Sequence, residues 1–447
     1  DEGSAQKVNN FLPSLISCSD PYIVMISWLD RIVQRKIALA PQWKDQPGIL
    51  DFCQHVEAQV NSSDAVAMKD DAAAKVIAVP FGTFRLVIKQ YNPKNWHKAV
   101  SRSVRKSKAN KSWSNANYLS LVGCKSVNPV ALIQDRLGFL VVRSFFVCEY
   151  IPGLEADKYF NAPERRADDL YSTAEKVVES LLAFHLCGIS IRDTKDTNIL
   201  ITFRNVFWVD LDAVEMPKLQ IIAKRQRAKD WQIFFYSWRH NEKVLRIFWD
   251  LVYRRLGDHS YYKLRRAVAT YYGRKFSSSL RFGHTGEDSL CTQKIVKDVE
   301  AIVSSGTLPP EWIKVQSART ALVARKETLE GGIYCKVFLP RDRREDLKRL
   351  FRLGRGARAV KNEKMLYGAG FRVQEQLFWG SQGNRDYIVS REIKGTKMVS
   401  WLDGKGIGPK RRREILKRLG EEVGELHRTG FVHGDLRLSN ILIQEDR

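Results

Sequence analysis

Cysteine is scarce and scattered. The seven residues (Cys18, Cys53, Cys124, Cys148, Cys187, Cys291 and Cys335) are odd in number and form no CxxC pair. That excludes a disulfide framework and a cysteine-based zinc site as organising features, and it fits a reducing cytosol. No apolar run reaches the roughly 20 residues that a membrane span needs. Arg143 interrupts the longest candidate, Phe139–Val147, so any membrane association is expected to be peripheral. The eight histidines show no metal-ligand spacing, and no recognisable nucleic-acid module accompanies the basic charge.

What is present points to globular chemistry. The 447 residues exceed one ordinary core, and a 44% hydrophobic fraction argues against disorder. The 74 basic and 50 acidic residues leave a formal charge of +24, which implies an anionic partner: nucleic acid, phosphorylated sugar or acidic membrane surface. The chain begins at Asp1 and stops at Arg447 just after a predicted strand, which reads as a fragment of a longer protein.

The clearest chemical signature is Phe431-Val-His-Gly-Asp-Leu-Arg-Leu-Ser-Asn-Ile-Leu-Ile443. An Asp, a cation two places on, an Asn five places on and then an apolar strand form the pattern of a kinase-type catalytic loop. There the Asp orients the attacking hydroxyl, the cation faces the migrating phosphoryl and the Asn holds magnesium. Asp435, Arg437 and Asn440 fill these places, and Asp193, Lys195 and Asn198 fill them in Ile189–Ile201. Asp210, 17 residues after Asp193, stands where a second metal-binding acid would follow the loop hairpin, with Asp212 a nearby competitor.

Other landmarks recur at matching offsets. Val76–Gly82 and Thr83–Tyr91 read as a strand hairpin carrying Lys89, the candidate nucleotide-phosphate lysine, and Gly332–Pro340 places Lys336 in a like setting. Each lysine precedes a basic segment, Trp96–Lys111 or Arg341–Arg352, and then a helix whose Asn115 or Asn362 lies 26 residues after the lysine. Glu363 on the second helix is a candidate partner for Lys336, whereas Ala116 occupies that place in the first. Glu149, on the strand leading to a hinge, is a further candidate nucleotide contact. Gly153 and Gly395 each precede their loop aspartate by 40 residues, and His185 and His427 precede it by eight. Such a repeat carries more weight than any single motif, since an isolated Asp-x4-Asn is more often a turn.

The expected fold is therefore α+β: two tandem protein-kinase-like bilobal domains, each with a small β-rich N-lobe and a mostly helical C-lobe. The expected boundaries are an extension over 1–60, a first domain over 61–307 and a truncated second over 308–447. The polar stretch Ser304–Pro310 marks the division. Three departures in the first copy leave room for a pseudokinase: Ile191 replaces the histidine that usually braces the loop, no GxGxxG loop precedes Lys89, and Ala116 leaves Lys89 without an acidic partner at that helix position.

These residues resemble the bacterial lipopolysaccharide core kinases, the heptose and 3-deoxy-manno-octulosonic acid (Kdo) kinase family. The resemblance rests on Val87–Asn92, Ser112–Asn115, Cys148–Gly153, Asp193–Asn198 and Val209–Asp212, and in the second copy on Tyr334–Phe338 and His433–Asn440. It implies a cytoplasmic enzyme at the inner-membrane face that transfers phosphate from ATP, with Mg2+, to a sugar hydroxyl of the lipopolysaccharide core. Asp193 would be the base, Lys195 a phosphoryl stabiliser, Asn198 and Asp210 metal ligands and Lys89 the phosphate lysine. Lys336, Asp435, Arg437 and Asn440 would take those parts in the second copy, which ends before any counterpart of Asp210. The alternatives are a kinase of another small molecule or a protein, and a pseudokinase scaffold that binds anionic glycolipid. A nucleic-acid partner is not expected.

Overall fold

The computed structural model describes residues 33–71, 74–91, 107–138, 140–217, 219–279, 290–318, 320–340, 353–404 and 407–444. The chain divides into two compact units, 1–234 and 235–447.

The first unit begins with β1 (Gln34–Leu39), the short helices α1 (Ile49–Gln54) and α2 (Val56–Val60), β2 (Val66–Asp71), β3 (Ala74–Phe81) and β4 (Phe84–Tyr91). Helix α3 (Lys108–Leu121), β5 (Pro129–Leu137) and β6 (Leu140–Glu149) follow. The strands form one antiparallel sheet in the order β1-β5-β6-β4-β3-β2. The expected hairpin is β3–β4: Phe81 pairs with Phe84, and the two-residue turn between them begins at Gly82 with φ 55°. That left-handed conformation suits the twist of the flanking strands and favours glycine.

The stretch expected as an extension is built into this sheet from residue 34 onward. β1 alternates exposed and half-buried positions and pairs with β5. Ile49, Phe52 and Val56 recur on one helical face and pack with Ile77, Val79, Leu86, Ile88, Ile133, Phe145 and Val147 in a common core.

A charge network ties these parts together. Asp135 on β5 is 1% exposed and accepts two bonds from Arg35 of β1, at 2.7 and 2.8 Å, and one from Arg143 of β6 at 3.0 Å. Arg35 also donates to both oxygens of Glu57 on α2. The chain then passes through β7 (Leu154–Glu155), α4 (Ala156–Asn161) and α5 (Ala167–Leu186). The hairpin β8 (Ile199–Ile201) and β9 (Val206–Trp208) completes a three-stranded sheet with β7, and α6 (Gln220–Ser237) carries the division between the units.

In the second unit, helices α7 (Glu242–Arg255), α8 (Asp258–Ser279) and α9 (Leu290–Ser305) precede β10 (Trp312–Ala318), β11 (Ala321–Thr328) and β12 (Gly331–Phe338). Helix α10 (Arg355–Gly368), β13 (Gln376–Gln382) and β14 (Arg385–Arg391) complete a sheet ordered β10-β11-β12-β14-β13. This is the order β2-β3-β4-β6-β5 of the first sheet, and in both a helix connects the third strand to the next. Val299, Ile302 and Val303 of α9 pack on Ala324, Ile333, Cys335, Val337 and Val389. Buried Arg265 of α8 donates to Ala369 O at 2.6 Å and pairs with Glu425 at 2.9 Å. The unit closes with β15 (Thr396–Lys397), α11 (Met398–Asp403), α12 (Pro409–Arg428) and β16 (Leu442–Ile443).

Burial, the largest single influence, would raise the Glu57 carboxyl, but hydrogen bonds from Arg35 and a backbone amide, with the charges of Arg35 and Arg143, together hold the group below its ordinary value. A lowered carboxylate pKa contributes stability that is full above the ordinary value and is lost as pH falls through the lowered one. Replacing Arg35 leaves Asp135 with Arg143 alone, so Arg35→Met is expected to cost about 3 kcal/mol in chemical denaturation. It should also flatten the acid limb of the stability curve. An unchanged midpoint would contradict this role.

Candidate active site

The site in the first unit is built on β4 and the β8–β9 hairpin with the loop before it, supported by α3 and α6. Lys89 lies near the end of β4, one residue beyond Ile88 of the core, so strand alternation turns its side chain to the other face of the sheet. Its Nζ donates to Val209 O at 2.5 Å and lies 3.8 Å from Asp210 Oδ1. The lysine and the acid after β9 are thus brought together, as their motif positions predict.

The hairpin explains why Asn198 joins them. Asn198 immediately precedes β8, Val209 immediately follows β9, and Val209 N donates to Asn198 O at 3.1 Å. Asn198 and Asp210 therefore stand on either side of one hairpin mouth. Asn198 Nδ2 donates to Asp193 O at 2.9 Å and to Asp193 Oδ2 at 3.0 Å. Its Oδ1 is left as an acceptor. A carboxamide oxygen and a carboxylate are hard oxygen donors of the kind magnesium takes, so this pair fits such an ion. Lys195 Nζ approaches Asp193 Oδ1 at 2.9 Å, with its side chain half-exposed.

Asp212, the competitor for the metal role, is engaged elsewhere, 2.6 Å from Lys108 at the start of α3. Asn115 of the same helix is buried and donates to Leu211 O at 2.8 Å and Val214 O at 3.0 Å. This carboxamide fastens α3 to the loop carrying Asp210, beside the buried Ala116. Glu149 sits at the end of β6, where it accepts from Asn128 at 2.8 Å, and is not within ion-pair distance of Lys89.

One decisive residue escaped the sequence reading. Asp230 of α6 is fully buried, and its carboxylate accepts Ile191 N at 3.1 Å, Arg192 N at 2.8 Å and Ser190 Oγ at 2.9 Å. His185 Nε2 lies 3.0 Å from it, and the Asp230 carbonyl accepts Thr194 Oγ1 at 2.6 Å. The loop around Asp193 is therefore fixed from beneath on both sides. Arg192 adopts φ 63°, a conformation that costs a non-glycine residue about 1–3 kcal/mol. The amide bonds to Asp230 and the Arg192–Glu215 ion pair hold it there. Ile191, where a histidine was expected, is buried and braces the loop by packing. The available signal was an acid set among Trp231, Phe234 and Phe235 on a helix, since a buried carboxylate needs donors.

The second unit repeats the local loop. Asn440 Nδ2 donates to Asp435 O and Oδ2, both at 3.1 Å, and Arg437 Nε lies 2.7 Å from Asp435 Oδ1. The Asp435 side chain is 57% exposed, against 28% for Asp193. Lys336 is exposed over the Phe338 ring, and it does not come within ion-pair distance of Glu363. Glu363 is instead half-buried, 3.5 Å from Lys364, and its partial burial raises its pKa. Residues 1–32, the first basic segment up to residue 106 and the whole of the second, 341–352, lie outside the described residues.

Removing the Asp230 carboxylate strands two backbone amides and a buried histidine. Asp230→Ala is expected to destabilise the chain by about 3 kcal/mol or more. It should also speed hydrogen exchange at the Ile191 and Arg192 amides. Unchanged protection there would contradict the anchoring role.

Comparison with known proteins adds an independent line. Residues 334–447 match the model of the lipopolysaccharide kinase (Kdo/WaaP) family. A probable bifunctional tRNA threonylcarbamoyladenosine biosynthesis protein of Methanothermobacter thermautotrophicus is 31% identical over 93 residues, 21% of this chain and 15% of that protein. The KEOPS complex subunit Bud32 of Pyrococcus abyssi is 32% identical over 60 residues, 13% of this chain and 26% of that protein. The chain thus spans only about a sixth and a quarter of these two relatives. Among solved structures, WaaP in complex with acyl carrier protein is similar over 49% of this chain and 90% of that one, with 15% identity and a TM-score of 0.36. A Mycobacterium tuberculosis PknI kinase domain covers 46% of this chain and 87% of its own, with 12% identity and a TM-score of 0.30. Over residues 334–447 the chain is thus similar to the lipopolysaccharide kinase (Kdo/WaaP) family.

Proposed function

We propose that the protein is an ATP-dependent kinase that phosphorylates a sugar hydroxyl, of heptose or Kdo, in the lipopolysaccharide core, and that the first unit carries the reaction. The observation that supports this most is the convergence of Lys89, Asn198, Asp210 and Asp193 around one hairpin mouth. Phosphoryl transfer is mostly positioning and charge neutralisation, and these groups supply both. Asp193, held by Asn198, orients the sugar hydroxyl and accepts its proton. Lys195 faces the migrating phosphoryl, and Lys89 grips the nucleotide phosphates. Asn198 and Asp210 would hold magnesium, which when bound neutralises phosphate charge.

On this reading the chain carries two kinase-like copies, the second with the same strand order and the same loop hydrogen bonds. The setting is the cytoplasmic face of the inner membrane. A second reading, a pseudokinase that binds anionic glycolipid without chemistry, is favoured by Ala116, because the helix beside Lys89 offers no carboxylate there. Phosphoryl transfer separates the two.

Core oligosaccharide from cells carrying the gene should contain one more phosphate by mass than that from cells lacking it; equal masses would sink the favoured reading. In vitro, Lys89→Met and Asp210→Asn are each expected to lower magnesium-ATP-dependent transfer by about 100-fold or more. Equal turnover in wild type and both variants would remove these residues from the site.

A further inference from the structure

The segment after Glu215 leaves aliphatic side chains in solvent at the edge of the site. Met216 is 40% exposed, Leu219 64%, Ile221 84% and Ile222 44%. Leu219 caps the start of α6, Ile221 and Ile222 lie in its first turn, and exposed Lys224 and Arg225 follow directly. The place of this patch is set by Glu215, whose backbone pairs in both directions with Ser190, three residues before Asp193. The Glu215 carboxylate is taken by Arg192 and Gln226, so the adjoining Lys224 and Arg225 face outward without it.

We propose that this patch seats the first unit on an anionic lipid surface, with Leu219, Ile221 and Ile222 entering the headgroup boundary and Lys224 and Arg225 contacting lipid phosphates. The composition decides for lipid over a protein partner. Protein hot spots favour aromatic side chains and arginine in packed pockets, whereas a small aliphatic patch with lysine and arginine beside it suits the boundary between acyl chains and anionic headgroups. Charge complementarity points the same way, since anionic headgroups attract basic residues beside an apolar patch. No helix among the described residues is long and apolar enough to cross a membrane, so the contact is peripheral. The inference rests on the functional reading only in that a lipid-anchored acceptor gives the contact a purpose, since the patch adjoins the loop that would receive it.

Co-sedimentation with phosphatidylcholine vesicles, with and without phosphatidylglycerol, tests the patch without nucleotide or acceptor. Its outcome therefore stands apart from that of the kinase assay. The full chain should bind the phosphatidylglycerol vesicles preferentially. The triple variant Leu219→Ser/Ile221→Ser/Ile222→Ser should lose at least about tenfold in partitioning. Lys224→Glu/Arg225→Glu should weaken binding most at low salt. Phe203→Ser, which removes a still more exposed apolar side chain from the β8–β9 turn, should bind as wild type does. Magnesium-ATP binding by the triple variant should match wild type and so report an intact fold. Undiminished partitioning of the triple variant, an equal loss in Phe203→Ser, or wild-type protein that binds polyglutamate but no vesicle would each overturn the proposal.

Discussion

The buried carboxylate of Asp230 is the interaction on which the first unit's site depends. A charge with no exposure is tolerable only when donors surround it, and here the donors are the backbone and side chains that shape the loop before Asp193. One acid thus does two things. It satisfies amides that would otherwise be stranded, and it holds Arg192 in a left-handed conformation that turns the chain toward the hairpin. Every later contact follows from that placement. Asn198 holds Asp193, the hairpin brings Asp210 beside Asn198, and Lys89 reaches across to Asp210 from the sheet.

A second constraint is steric. A Cβ on Gly153 would lie 2.9 Å from Ile201 O, and a Cβ on Gly395 would lie 2.9 Å from Ile443 O. Gly153 follows β6 and Gly395 follows β14, and both meet the carbonyl of the strand that follows the loop. The same close approach at the same sequence separation means that each loop is seated against its hinge by backbone contact, which only glycine permits. The two units differ beneath the loop. In the first, α5 buries Leu170, Val177, Leu181 and Phe184, whereas none of the α12 residues is buried.

Much of this was legible in residue spacing, because the chemistry demands particular side chains at particular separations. Lys89, Asp193, Asn198 and Asp210 meet as their offsets imply, and the β3–β4 hairpin lies where Gly82 divides two β-rich runs. What stayed hidden was long-range or backbone-mediated. Asp230 recognises main-chain amides nearly forty residues away, which carry no side-chain signature. β1 becomes a strand by pairing with β5, about a hundred residues distant, and Arg35 looks like a surface cation until Asp135 is placed beside it. Lys336 and Glu363 share helix and strand positions that suggest a pair, yet Lys336 rests on Phe338 and Glu363 turns into the interior. Asn115, one place earlier on the corresponding first helix, fastens that helix through backbone carbonyls instead.

The central claim is that chemistry belongs to the loop anchored by Asp230 and not to its exposed counterpart. The most direct measurement compares phosphoryl transfer from ATP to isolated lipopolysaccharide core by Asp193→Asn and Asp435→Asn, made side by side in the full chain. Transfer should be abolished in Asp193→Asn and close to wild type in Asp435→Asn. Loss of transfer in Asp435→Asn with retention in Asp193→Asn would contradict the account.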